Sequence, residues 1–211
     1  QHLQWIEKDR IGIVPGLSTW HGTTPDVMRG EEIQIFGALT AQNIHHAQFV
    51  LPGTHSKWAQ VDDRKISAFK TFMTGEFYAL LSQHSILAKT CLPDAPLKKE
   101  VFLDGVMQSQ QTGGLLHHAF SARSLALFEK LNPAQSSSYV SGLLIGEEIQ
   151  AAKADLMAEG TPLLILGNGQ LTLRYSMAMA ALGLTAQTLA EEVTWTGLWA
   201  LAHHLYPHDF N

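Results

Sequence analysis

The chain has 211 residues, enough to bury a substantial core as one large domain or two small ones. Fourteen Lys and Arg against nineteen Asp and Glu leave a formal net charge of −5, which argues against a surface built to neutralise a phosphate backbone and so against nucleic-acid binding. The single Cys91 cannot form an internal disulfide, and no apolar run approaches the roughly 20 residues that span a bilayer; the expectation is a cytoplasmic protein with no membrane partner.

Gln1 to Arg10 carries neither the basic nor the apolar segment of a targeting peptide. Ile11 to Val14 is short, β-branched and closed by Pro15-Gly16, which predicts a buried interior strand. Such a strand lacks upstream neighbours, so further sequence is expected ahead of Gln1. Ser18 to Pro25 reads as a loop of small polar residues, and Glu31 to Gln42 as a helix with Ile33, Ile35, Phe36 and Leu39 in one arc. Phe49 to Leu51, Lys57 to Val61 and Ile66 to Phe72 then form an antiparallel meander, with turns at Pro52-Gly53 and Asp62-Asp63.

Beyond the meander, helices are predicted at Glu76 to Ser82 after Thr74-Gly75, at Leu115 to Leu131, and at Val140 to Ala154 with Ser136 to Ser138 as its cap. Cys91 to Glu100 is a surface loop. From Pro162 the chain alternates: strand to Leu166, helix Leu171 to Leu182 ended by Gly183, strand Leu184 to Leu189, helix Glu191 to Leu205 with Trp195 and Trp199 toward the core. This is α/β punctuation. A composition shift near Phe49 divides the chain into residues 1–47, a small piece of one α/β lobe, and 48–211, a fuller one.

Three segments carry candidate chemistry. In the first, Leu51-Pro52-Gly53-Thr54-His55-Ser56-Lys57, a buried strand opens into a glycine turn with two hydroxyls and a cation; it is either a solvated hairpin turn or a cradle for a polyphosphate. In the second, Leu166-Gly167-Asn168-Gly169 joins a strand to a helix, where glycines let the backbone approach a flat or charged ligand. A dinucleotide fingerprint would need a third glycine, and Thr172 stands in its place. The third, Arg29-Gly30-Glu31-Glu32, delivers two acids to a helix start, either to complement the helix dipole or to supply a general base beside an arginine that could hold an anionic substrate. Glu32 projects into the apolar arc of its own helix.

The order of these blocks is similar to that of the sugar kinases of the actin/hexokinase/Hsp70 superfamily. Val27-Met28-Arg29-Gly30-Glu31-Glu32, Pro52 to Trp58, Met73-Thr74-Gly75-Glu76 and Ser141 to Gly146 resemble, more closely, the 2-dehydro-3-deoxygalactonokinase family, across Ile13 to His203. The resemblance implies a ribonuclease H-like actin/hexokinase-type fold. It also implies ATP- and Mg2+-dependent phosphorylation of the terminal hydroxyl of 2-dehydro-3-deoxy-D-galactonate. By the same resemblance Glu31 is the base, with Glu32 its rival; Gly53, Thr54, His55 and Ser56 form a phosphate loop with Lys57 beside it; and Gly167, Asn168, Gly169 and the helix through Tyr175 form the adenosine site. On charge alone, Arg29 suits the sugar-acid carboxylate. A homodimer is left open. Family members begin with an Asp-Trp-Gly-Thr-type first phosphate loop, which these 211 residues lack. Two other readings therefore stand beside the kinase: a silent nucleotide- or sugar-binding remnant of one, and a dinucleotide-dependent oxidoreductase built on Gly167 to Gly169.

Eleven histidines include the neighbours His45-His46, His117-His118 and His203-His204. Adjacent residues on a helix point about 100° apart, poor geometry for one ion, so no protein-held metal is expected. Cys91 beside Pro93 lacks an activating partner and is not expected to act as a nucleophile.

Overall fold

The computed structural model describes residues 4–7, 11–167, 169–190 and 192–206. Its centre is a five-stranded mixed sheet in the order β7-β6-β5-β8-β9, built from β5 (Ala47–Leu51), β6 (Ser56–Asp62), β7 (Lys65–Phe72), β8 (Leu163–Leu166) and β9 (Gln187–Leu189). The predicted meander is present. β5, β6 and β7 pair antiparallel, and Asp62 pairs with Lys65 across a turn whose central residues, Asp63 and Arg64, both have positive φ. That is the type I′ signature, one residue later than predicted, and it suits the right-handed twist of the strands it joins.

β5 is buried along its whole length because both faces of the sheet are covered. Ala47, Phe49 and Leu51 meet Ile35, Ala38 and Leu39 of α1 (Glu31–Ala41) on one face. On the other, Val50 meets Phe102 of α3 (Lys99–Gln108), Ile145 and Ile149 of α5 (Pro133–Ala152) and Tyr175 of α6 (Gly169–Ala181). Each Val, Leu, Ile or Phe among them taken out of water is worth roughly 1.5–3 kcal/mol. Alternation along the strand thus supplies two cores from one segment.

Several sequence expectations are corrected. Ile11–Ile13 (β2) is a strand, but an exposed one paired with β1 (Gln4–Glu7), so it has an upstream neighbour and no core to fill. Ser18 to Pro25 is not a loop: β3 (Leu17–His21) and β4 (Thr24–Met28) form a hairpin around Gly22-Thr23, with Gly22 at φ 63. The helix expected at Val140 begins at Pro133, because Asn132 and Gln135 make a reciprocal capping box ahead of a proline at the first helical position. Ser136 to Ser138 are therefore interior and buried; Ser137 and Ser138 accept the Leu92 and Lys98 amides and pin the 91–98 loop to the helix. Helix α3 begins where that loop was expected to end. Trp195 and Trp199, on α7 (Val193–Leu205), face solvent at 75% and 59% exposure. The α1–α7 contact is made by Gly37 and Gly197 instead: a Cβ on either would lie within about 2.1 Å of a carbonyl oxygen of the facing helix. Glu191, the expected start of α7, lies outside the described residues.

Candidate active site

β5 and β8 run parallel and adjacent, with Val50 opposite Ile165. The chain leaves both at the same end of the sheet, through Pro52-Gly53 and through Gly167. Strands so paired lie about 4.8 Å apart, so the two glycine corners are neighbours. The carboxyl end of parallel strands is where open α/β sheets bind their ligands.

The turn after β5 is held from behind by α2 (Thr74–His84). The Glu76 amide donates to the Thr54 carbonyl at 3.0 Å, and His55 Nε2 lies 2.5 Å from Glu76 Oε2. Gly75 is required there, since a Cβ would sit 2.5 Å from the Gly53 carbonyl oxygen. The Met73 to Glu76 block is thus the seat of the 53–55 turn.

Facing this turn is the β3–β4 hairpin. Asp26, in β4, accepts the Thr71 amide at 2.7 Å and the Thr71 hydroxyl at 2.6 Å, while His21 Nε2 donates to the Phe69 carbonyl at 2.8 Å. These bonds cover the outer edge of β7, which would otherwise present unpaired backbone groups. They also fix where the chain emerges at Arg29. At Gly30 it turns with φ 109, a conformation that side chains rarely adopt. The Arg29 amide then donates to Glu31 Oε2 at 3.0 Å and the Gly30 amide to Glu32 Oε2 at 2.7 Å, which pairs donors at the helix start with acids of its first turn.

Hairpin, helix start and phosphate-loop candidate together enclose a cleft of about 620 Å³ lined by Arg29, Glu31, His55, Lys57, Ser18 and the Pro15–Leu17 segment, among others. Lys57 is 4% exposed; its Nζ donates to the His55 carbonyl at 3.1 Å and stands 3.5 Å from Glu31 Oε1. Glu32 is 2% exposed, turned into the core and outside this lining, with Oε1 unpartnered among the described residues. The two acids are therefore separated: Glu31 reaches the cleft and Glu32 does not.

The remaining candidates fall around this centre. Gly53 is part-exposed with open space where a Cβ would stand, and Thr54 is exposed on the turn. Ser56 points the other way, into the core. Gly167 (φ 149) and Gly169 (φ 68) form the second corner; Asn168 lies outside the described residues. Tyr175 is 1% exposed, and its hydroxyl donates to Glu148 Oε2 at 2.6 Å, so its ring belongs to the core and not to a ligand surface. Cys91 is half-buried, and burial pushes its thiol up, away from the reactive thiolate. Asp26 and Glu148 were not singled out by sequence, and Glu76 only as the end of the Met73 to Glu76 block; the distant partners that give the three their roles lie 21 to 92 residues away.

With β5 to β9 counted one to five, sheet order 3-2-1-4-5 with only β6 reversed, helices on both faces and an acid-and-cation cleft at the carboxyl strand ends define a ribonuclease H-like lobe of the actin/hexokinase type. The profile of the 2-keto-3-deoxy-galactonokinase family matches residues 1–201, and the chain belongs to that family. It is 35% identical over 196 residues to the 2-dehydro-3-deoxygalactonokinase of Escherichia coli (strain K12), covering 92% of this chain and 66% of that protein. It is 32% identical over 206 residues to a Rhizobium meliloti (strain 1021) protein named as a candidate for the same activity, covering 96% of this chain and 67% of that one. A crystal structure of a candidate 2-dehydro-3-deoxygalactonokinase from Sinorhizobium meliloti superposes with a TM-score of 0.85 at 32% identity, over 93% of this chain and 66% of that one. The chain thus spans about two-thirds of the length of the relatives it matches. Among the described residues no helix is long and apolar enough to cross a membrane.

Proposed function

We propose that the cleft belongs to an ATP-dependent kinase that phosphorylates the terminal hydroxyl of 2-dehydro-3-deoxy-D-galactonate. The observation that carries this reading is the convergence of Arg29, Glu31, His55 and Lys57 on one cleft, at the sheet end where Gly53 and Gly167 emerge. In it, residues 1–47 belong to a first lobe and 48–211 form the nucleotide lobe, with α1 packed onto the latter's sheet.

The triphosphate lies over the 53–55 turn and the Gly167–Gly169 corner, where backbone N–H groups, the Thr54 hydroxyl and the Lys57 ammonium meet its oxygens. Arg29 holds the sugar-acid carboxylate. Glu31 takes the proton of the attacking hydroxyl, whose oxygen forms the new bond to the γ-phosphorus as the bond to the ADP oxygen breaks. The transition state is loose and anionic, so alignment and fixed positive charge supply most of the acceleration. With Glu31, the one carboxylate among the described residues lining the cleft, reserved for the proton, magnesium would be held by the nucleotide's own phosphates and by waters. Bound there, it would neutralise charge on the phosphate oxygens. The chain's own part is to hold the anions and move one proton.

The test is release of ADP from ATP and magnesium in the presence of 2-dehydro-3-deoxy-D-galactonate, set against its epimer and other sugar acids. Glu31→Gln should lower the rate roughly 10²–10⁴-fold, the range for a positioned acid or base, while calorimetry shows nucleotide binding intact. Binding of ATP or sugar acid with no ADP release under any condition would leave the silent remnant as the correct reading. An unchanged rate in Glu31→Gln would remove that residue from the chemistry.

A further inference from the structure

We propose that Glu148 is the positioning residue of the nucleotide end of this site, a single buried carboxylate that fixes the 53–57 segment, the β7–α2 corner and helix α6 in one arrangement. The inference rests on the kinase reading for its ligand and on geometry alone for its mechanics.

Glu148 lies within α5 and is 3% exposed. Its Oε1 accepts the indole N–H of Trp58 at 2.7 Å; its Oε2 accepts the hydroxyls of Ser56 at 2.7 Å, of Tyr175 at 2.6 Å, and of Thr74. Four donors thus reach one side chain from three other elements, and none of them is a cation. A buried carboxylate satisfied only by neutral donors is costly, and an apolar side chain of the same volume would be cheaper for stability alone. What the carboxylate adds is direction.

Each donor stands at the root of a segment bordering the proposed ligand. Ser56 directly follows His55. Thr74 precedes Gly75, on which the Gly53 carbonyl rests. Tyr175 is less than two helical turns beyond Gly169. Ser56 and Trp58 are also i and i+2 on β6, so a carboxylate that binds both sends the residue between them, Lys57, to the opposite face of the sheet, where Glu31 and the cleft are. A one-residue slip of β6 would turn Lys57 into the core. Glu148 therefore sets the aim of Lys57 without touching it.

Glu148→Gln keeps the shape and replaces one acceptor by a donor, which the indole N–H cannot accept and the hydroxyls must reorient to meet. Amide hydrogen exchange on the chain should rise about tenfold or more at residues 53–57 and 74–77 while α3 is unchanged, the pattern of local rather than global opening. In calorimetry, Mg-ADP affinity should fall roughly tenfold, the effect of one charge-assisted contact, while affinity for the sugar acid changes less than about twofold. A residue that is merely structural would shift both ligands alike. Unchanged exchange at 53–57 overturns the inference whatever the ligand result, as does an equal loss for both ligands. Absence of nucleotide binding in the wild type would instead sink the kinase reading and leave the exchange result to judge the hub. Should Glu148→Gln not fold, Thr74→Val removes one donor only; exchange must then rise at 53–57 as well as at 74–77, and a rise confined to 74–77 refutes the coupling.

Discussion

Lys57 joins two roles in one side chain. Its ammonium is almost fully withdrawn from solvent, contacts the His55 carbonyl and faces Glu31 across 3.5 Å, so it both closes the turn and charges the cleft. Under the proposed reading, Lys57→Ala should weaken nucleotide binding by about 10- to 100-fold, as expected for losing a hydrogen bond to a charged group, and weaken sugar-acid binding less. Calorimetry with each ligand checks the ranking; the reverse order would assign Lys57 to the sugar. Glu148 gives a second residue-level prediction, this time on stability. Burial pushes its carboxyl up from 4.5, against the lowering effect of Thr74, Tyr175, Ser56 and Trp58. A folded-state value above the unfolded one means that the folded protein holds the proton more tightly. The resulting stabilisation is complete below pH 4.5 and is lost as pH rises through the folded-state value. Urea unfolding of wild type and Glu148→Gln across that range should therefore show the wild type losing stability relative to the variant as pH rises. A difference that does not change with pH, or that grows in favour of the wild type, contradicts the buried-charge account.

Among elements, close helix crossings replace the bulky contacts that periodicity leads one to expect. Gly142 of α5 lies against α3 so closely that a Cβ would be 1.9 Å from the Phe102 carbonyl oxygen, and Gly105 makes the reciprocal approach to Tyr139. Alanine is intrinsically the better helix residue by about 1 kcal/mol, but here the clash is with backbone and cannot be relieved by a rotamer. Gly142→Ala should thus destabilise the chain by a net of roughly 1–3 kcal/mol, the usual cost of overpacking, read from the denaturation midpoint; a stabilised variant would mean that α3 and α5 separate freely. The same logic explains the misreading of α7. Trp195 and Trp199 share a helical face with Leu198, which resembles a core stripe, yet the helix meets α1 through Gly197 and leaves its aromatics outside. Small residues at a crossing carry no hydrophobic signal. The β3–β4 hairpin was illegible for a related reason: its pairing buries little, and its anchors, Asp26 to Thr71 and His21 to Phe69, span 45 and 48 residues. By contrast the meander, β8 and α6 were legible because alternation, turn residues and strand–glycine–helix punctuation are local.

At the scale of the whole molecule, the site depends on one non-local fact, the parallel pairing of β5 with β8 across an intervening stretch that holds β6, β7 and the α-helices α2, α3, α4 (Gly114–Leu127) and α5. Sequence supplied the two glycine corners and the acid beside Arg29, but their meeting is a property of sheet order. That order also yields the last prediction. If both corners hold one nucleotide, the ligand binds the folded chain and not the unfolded one, and at a free concentration of 100 times Kd it adds about 2.7 kcal/mol to stability. For a chain of this size each kcal/mol raises Tm by roughly 2–4 °C, so saturating Mg-ATP should raise Tm by about 5–11 °C. Gly53→Val isolates the cause: a Cβ at Gly53 meets nothing within 4 Å, so the unliganded variant should melt with the wild type, while branched methyls fill the space the phosphate needs. The expected result is an unchanged Tm without nucleotide and a nucleotide shift reduced to a small fraction. A wild-type chain indifferent to saturating Mg-ATP, or a variant that keeps the full shift, would show that the two corners do not form one phosphate site.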